Sequence, residues 1–204
     1  MKNNEHVLLC VMGRTASGKD SLVNKLCERT GLTQIISYTT RERRTDEGDT
    51  HIFVTTEDYE IMKANGEVAA YTEIAGNLYW TTVNQLYEND VYIIDPIGVE
   101  VLKKLNLPNL RLVTVYINTP DELREDRAFH LRKDDKEKFR IRNLSERSQF
   151  RNMLKDANFD YAVSNIEFPK AFSVLKWIAS VEKVWANQYK ENNITKEMEE
   201  WKTQ

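Results

Sequence analysis

The chain is poor in residues that staple, bend or stiffen a backbone: its 204 residues include two cysteines, seven glycines and four prolines. Two cysteines exclude a disulfide framework; Cys10, in an apolar run, and Cys27, in a helical pattern, each read as a small buried apolar residue. A reducing compartment, the cytoplasm, is the expected location. No apolar stretch approaches the length that spans a bilayer, and the run from Val7 to Met12 is too short for a secretory core, so no membrane partner is expected. The Asn-x-Ser/Thr triplets at Asn143 and Asn193 are then coincidental. Histidine and cysteine show none of the spacing of a structural metal site. A net charge of −3 argues against a dedicated nucleic-acid binder. Internal repeats and low-complexity tracts are missing as well.

What remains, 41% apolar and 30% charged residues, suits a soluble globular domain with one inserted lobe. Its most informative stretch is Val7 to Ser21, an apolar strand that breaks into Gly13-Arg14-Thr15-Ala16-Ser17-Gly18-Lys19 and runs on through Asp20 and Ser21 into a helix. Two glycines let backbone wrap an anion closely, the turn and helix-start N–H groups point inward, and Lys19 adds a mobile positive charge. Residues 13 to 21 are therefore the expected binding site for the phosphates of a nucleoside triphosphate. Asp20 stands where a Ser or Thr hydroxyl commonly ligates magnesium; a carboxylate can hold that hard cation directly or through water. Without the ion, at about 5 Å and an effective dielectric near 20, it would repel a phosphate oxygen by about 3 kcal/mol.

Downstream, Asp20 to Arg29 reads as a helix stopped by Gly31, and Ile35-Ile36 as a short strand. A cationic, hydroxyl-rich loop follows, from Ser37 to Arg44. A strand at 51–55, a helix at 56–64 and an aromatic stretch at 68–82 suggest an inserted lobe. Val91 to Asp95, a helix near Gly98 to Leu105 and a strand at 110–117 restore the strand-helix-strand rhythm of a parallel sheet. Thr119-Pro120-Asp121-Glu122 reads as a helix start with Thr119 as the cap. From there to Lys155 the pattern is helical and highly charged. Asp160 to Ser164 is the last strand, and Phe172, Leu175, Ile178, Val181 and Val184 are spaced for the buried face of a final helix.

Ligands of an open parallel sheet lie at the carboxyl ends of its strands, so the phosphate loop, Ser37 to Arg44 and Asp95 are expected at one edge. A triphosphate in the loop and a second anion opposite, met by Ser37, Arg41 and Arg44, imply phosphoryl transfer between two nucleotide-like substrates.

The chain resembles the guanylate kinase family from about residue 6 to about residue 180. The phosphate loop, Ser37-Tyr-Thr-Thr-Arg-Glu-Arg-Arg44, Gly76-Asn77-Leu78-Tyr79 and Phe159-Asp-Tyr-Ala-Val-Ser-Asn165 carry the resemblance. It implies an α/β fold: a P-loop parallel sheet flanked by helices (core 1–36 and 91–190), an inserted mixed α/β acceptor lobe (37–90), a helical lid (124–150) and a polar tail (189–204). It implies ATP and magnesium, held with the help of Asp20, and a nucleoside monophosphate acceptor, with GMP leading. Ser37 would touch the acceptor base, Arg41, Arg44 and Tyr79 would grip its phosphate, and Asp95 would bond the base edge; His51 and Thr81 join this acceptor set. Lys19 and the lid residues Arg127, Arg142 and Arg132 would act on the transferring group. Ala70, His51 and Ile93 stand where the family carries a guanine-reading glutamate, a phosphate-binding tyrosine and a carboxylate. Another nucleoside monophosphate, a small phosphate ester, or a non-catalytic interaction module therefore stay open as alternatives. A homodimer is compatible with the chain.

Overall fold

Strand β1 (His6–Met12) is buried along its whole length because it lies inside a sheet covered on both faces. The computed structural model describes residues 6–43, 50–74, 76–182 and 184. Arg44 and the tail lie outside the described residues. Helix α1 (Lys19–Thr30) leaves the loop after β1 and ends at Gly31, whose left-handed φ of 74° turns the chain as a glycine cap should. Short strands β2 (Tyr38–Thr39) and β3 (Ile52–Phe53), helix α2 (Thr56–Ala64), the hairpin of β4 (Val68–Ile74) and β5 (Asn77–Thr82), and helix α3 (Val83–Glu88) follow. Next come β6 (Val91–Ile93), α4 (Pro96–Leu105), β7 (Leu110–Asn118), α5 (Asp121–Asp126), a π-helical turn (Arg127–Leu131) and α6 (Lys136–Lys155). Strand β8 (Tyr161–Ser164) and helix α7 (Phe168–Val181) close the described chain.

The main sheet has the order β6-β1-β7-β8, all parallel. Alternate residues of β1 feed two cores, as a period of two requires. Val7, Leu9 and Val11 pack with Leu22, Val23 and Leu26 of α1 and Leu175 and Ile178 of α7. Leu8, Cys10 and Met12 pack with Leu86, Val99, Leu102, Phe150 and Met153 on the other face. The second sheet, order β3-β2-β5-β4, centres on Trp80, which is stacked on Tyr38 with ring centroids 5.4 Å apart and meets Tyr59 edge-on at 4.9 Å. Helix α2 follows the expected span, locked by a reciprocal capping box between Thr55 and Asp58.

Four expectations are corrected. Ile35-Ile36 forms no strand: contact with β6 stops at the isolated Gln34–Val91 bridge, where the Ile35 N–H donates to the Val91 carbonyl at 2.8 Å, one ladder step being too few for a strand. Thr119 does not cap α5; its hydroxyl donates to the Ser17 carbonyl at 3.0 Å, and Pro120 takes the N-cap place. The charged stretch is not one helix, since residues 132–135 interrupt it, with Lys133 at φ 57°, before Asp135 caps α6. Val181 is 46% exposed, and the small Ala171 and Ala179 complete the buried face of α7 instead.

Candidate active site

The phosphate loop is built from tight turns whose glycines have no room for a side chain. A Cβ on Gly13 would stand 2.5 Å from the Ser17 hydroxyl, and one on Gly18 would stand 2.5 Å from the Asn165 amide nitrogen, at a φ of 82° that penalises any L side chain. Ala16 is also left-handed, at φ 58°, so the backbone curls into the concave form that gathers N–H groups around an anion. Thr15, Ala16 and Ser17 are buried, whereas Asp20 and Ser21 are exposed at the start of α1. Lys19 Nζ lies 3.2 Å from Asp20 Oδ2, with the carboxylate far more open to solvent than the ammonium. Asp20 thus has free oxygen at the mouth of the loop, which fits the habit of magnesium to take one or two carboxylates together with substrate phosphates.

Distant side chains hold this loop in place. The Ser17 carbonyl accepts from Thr119 Oγ1 at 3.0 Å, Arg127 Nη1 at 3.1 Å and Asn165 Nδ2 at 2.7 Å. Arg127 also donates to the Asn165 carbonyl at 2.8 Å, and burial lowers its pKa. Arg124, 1% exposed, donates to the Thr15 carbonyl, to Asn143 Oδ1 and to Asp121. Arg14 reaches Asp121 at 3.0 Å and Asn143 at 2.7 Å, and Glu146 of α6 accepts the Thr15 N–H at 2.7 Å. The hydrogen bond from Arg124, with the nearby charges of Arg124 and Arg14, holds the Asp121 carboxyl below the usual carboxylate range.

The remaining expected lid arginines are placed differently. Arg132 pairs with Asp134 beside the break in the helices. Arg142 is exposed on α6.

On the acceptor side, Asp95 sits at the same sheet edge as the loop. Val11 pairs with Ile93, and Ile94 donates its N–H to the Val11 carbonyl at 3.2 Å, so Gly13 and Asp95 leave neighbouring strands two residues later. One Asp95 oxygen caps α4 by accepting the Gly98 N–H at 2.7 Å. Ser37 lies close by, its hydroxyl 3.2 Å from that of Tyr92, whose pKa burial pushes up to about 12. Arg41 donates to the Glu42 carbonyl at 2.8 Å, and its guanidinium lies 5.4 Å from the centre of the Phe53 ring. His51 meets Tyr79 edge-on at 5.6 Å, which brings those two expected residues together. Thr81 is buried, with its hydroxyl given to Gln85 at 2.8 Å. Ala70 is buried in the same apolar cluster as Leu86, Tyr92 and Val99. A cavity of about 380 Å³ opens next to Asp95, between Met12, Pro96 and Ile97 on one wall and Gln149, Asn152 and Met153 of α6 on the other.

Thr119, Arg124, Asn143, Glu146 and Asn165 were not among the residues expected at the site. Thr119 and Asn165 left a trace in the sequence, as polar residues just past the carboxyl ends of core strands.

A family model described as guanylate kinase matches residues 5–182. The guanylate kinase of Salmonella typhimurium strain LT2 is 27% identical over 197 residues, covering 91% of this chain and 93% of its own. That of Escherichia coli K12 is 26% identical over the same span. The crystal structure of guanylate kinase from Anaplasma phagocytophilum superposes with a TM-score of 0.63 at 20% identity, covering 88% of this chain and 87% of its own, and so shares the fold. With a family match that spans the phosphate loop, both sheets and the helices that brace them, the chain belongs to the guanylate kinase family.

Proposed function

We propose that the chain is a nucleoside monophosphate kinase that transfers the γ-phosphoryl group of ATP to GMP, yielding ADP and GDP. One observation carries the reading: the glycine cradle of residues 13–21 and Asp95 leave neighbouring strands at the same carboxyl edge of one parallel sheet, and the Ser37 hydroxyl meets that of Tyr92 on the strand that leads to Asp95. Two nucleotides bound there face each other.

The γ-phosphorus loses its bond to the β–γ bridging oxygen and gains one to an acceptor phosphate oxygen. The loop amides and Lys19 offset the donor charge, and Arg41, Arg44, His51 and Tyr79 orient the acceptor phosphate. Ser37 and the second oxygen of Asp95 meet the base, with Thr81 of β5 completing the acceptor set. Lys19, Arg142 and Arg132 neutralise the moving group when α6 closes, and Arg127 acts from the rear of the loop. A magnesium ion, when bound, would be held by Asp20 and would supply positive charge to offset that of the donor phosphates. The enzyme works in the cytoplasm.

A second reading concerns the acceptor. Ala70 is buried and Ile93 is apolar, so Asp95 is the one carboxylate left at the positions where the resemblance places base-reading acids. Each missing acceptor for a buried polar base edge costs on the order of 1–3 kcal/mol of discrimination, which favours a broader range of nucleoside monophosphates. ATP turnover against a panel of nucleoside and deoxynucleoside monophosphates tests both readings. GMP as the best acceptor supports the first, comparable rates with several acceptors support the second, and no turnover with any overturns both.

A further inference from the structure

The Ser17 carbonyl is held by three side chains from three separate segments: Thr119 after β7, Arg127 in the π-helical turn and Asn165 after β8. Two of the three, Thr119 and Asn165, are buried, at 5% and 0% exposure. Three donors on one backbone oxygen exceed anything the loop needs for chain reversal, since the turn itself is closed by the Ser17 N–H to Arg14 carbonyl bond at 3.0 Å.

The consequence lies on the other side of the peptide unit. In a trans peptide the carbonyl and the following N–H point in opposite directions, so anchoring the Ser17 oxygen outward aims the Gly18 N–H into the loop. Among the described residues that N–H donates to no protein group. Gly18, at φ 82°, has little intrinsic preference, and rotation about Ser17 ψ and Gly18 φ would turn the peptide over at low steric cost. The flipped unit would present a carbonyl oxygen to an incoming phosphate in place of a donor, turning attraction into repulsion.

We infer that Thr119, Arg127 and Asn165 form a peptide lock: they are positioning residues that hold the Ser17–Gly18 unit in its anion-binding orientation, and so set donor-nucleotide affinity without touching the nucleotide themselves. This rests on the reading of residues 13–21 as the ATP site. The lock explains why Gly18 tolerates no side chain, since a Cβ would strike the Asn165 amide that supplies one of the bonds. It also accounts for Thr119 abandoning its helix-capping place.

Thr119→Val keeps the side-chain shape and deletes the hydroxyl, and Thr119→Ser keeps the hydroxyl. Three readouts test the lock: the 15N-glycine amide spectrum of the free protein, ADP and ATP binding by calorimetry, and the acceptor KM. In Thr119→Val the Gly18 amide signal should shift or broaden, ATP and ADP affinity should fall on the order of tenfold, and the acceptor KM should stay within about twofold. Thr119→Ser should restore both signal and affinity. Arg127→Lys, which removes the fork that joins the Ser17 and Asn165 carbonyls, should reproduce the Thr119→Val pattern and serves should that variant fail to fold. An unmoved Gly18 signal with wild-type affinity in both variants overturns the lock, as does equal weakening of donor and acceptor accompanied by a lowered Tm. If the wild-type protein binds neither ADP nor ATP, the assignment of the donor site is what fails.

Discussion

Glu146, on helix α6, accepts the backbone N–H of Thr15 in the phosphate loop at 2.7 Å, 131 residues away in sequence. A carboxylate thus sits on a loop whose other features favour anions. At about 7 Å and an effective dielectric near 20, its charge would oppose a bound phosphate by about 2 kcal/mol before solvent screening. Glu146→Gln keeps an acceptor for Thr15 and removes the charge. It is expected to tighten ATP binding about three- to tenfold, read by calorimetry at low salt, with the gain shrinking as salt is added. Unchanged affinity across the salt series would show that α6 withdraws before the nucleotide arrives.

Arg124 is the most deeply buried charged side chain at the loop, and its bonds to Thr15, Asn143 and Asp121 join the loop, α5 and α6. Arg124→Met fills similar volume but leaves the Thr15 carbonyl without this donor and Asn143 with the bond from Arg14 only. Urea denaturation should show a loss of about 2–4 kcal/mol with the m-value preserved. A loss below about 0.5 kcal/mol would mean that these contacts form only marginally in solution.

Lys19 makes one hydrogen bond, to the exposed Asp20 carboxylate, and braces nothing in either core. Lys19→Ala should lower kcat at least a hundredfold while moving Tm by no more than about 2 °C. A large Tm loss in the free protein would make this lysine a structural residue.

Arg41 lies over Phe53 beside the acceptor edge rather than against the loop. Arg41→Ala should raise the acceptor KM about tenfold or more and leave ATP affinity within twofold. Parallel losses for both substrates would displace the acceptor site from β2.

Burial pushes the thiols of Cys10 and Cys27 up to about 12 and about 11. Their folded-state pKa values are raised, so their contribution to stability is complete below the unfolded thiol pKa near 8.5 and is lost as pH climbs through the folded values. Stability measured in urea should therefore fall between about pH 9 and pH 11. In the folded protein at pH 8, iodoacetamide should label Cys10 far more slowly than the unfolded chain. Rapid labelling of Cys10 would contradict its burial.

Local patterns and long-range contacts differed sharply in how far they could be read from the chain. The run from Val7 to Lys19, the glycine stop after α1 and the helix at 56–64 are decided by neighbours in sequence, and the structure follows each of them. Thr119 shows where that reasoning ends. Thr-Pro-Asp-Glu satisfies every local rule for a helix start, yet a carbonyl 102 residues upstream offers a buried partner, and the tertiary bond wins. Arg124, Asn143 and Glu146 were hidden for the same reason, since a charged helical face looks alike whether its side chains meet water or a loop from the far end of the chain. Val181 misled through periodicity: it fits the apolar spacing yet stands 46% exposed, while Val184, the next residue of the series, is buried in the core.

The aromatic cluster around Trp80 gives the protein a built-in optical handle. Its indole is sealed from solvent and stacked on Tyr38, next to Ser37, whereas Trp177 on α7 is 58% exposed. With Trp185 and Trp201 replaced by phenylalanine, Trp80 and Trp177 should emit at distinct wavelengths, the shorter-wavelength band belonging to the β2–β5 sheet. An acrylamide-resistant emission that changes when acceptor is added would let occupancy of that side be followed by fluorescence alone.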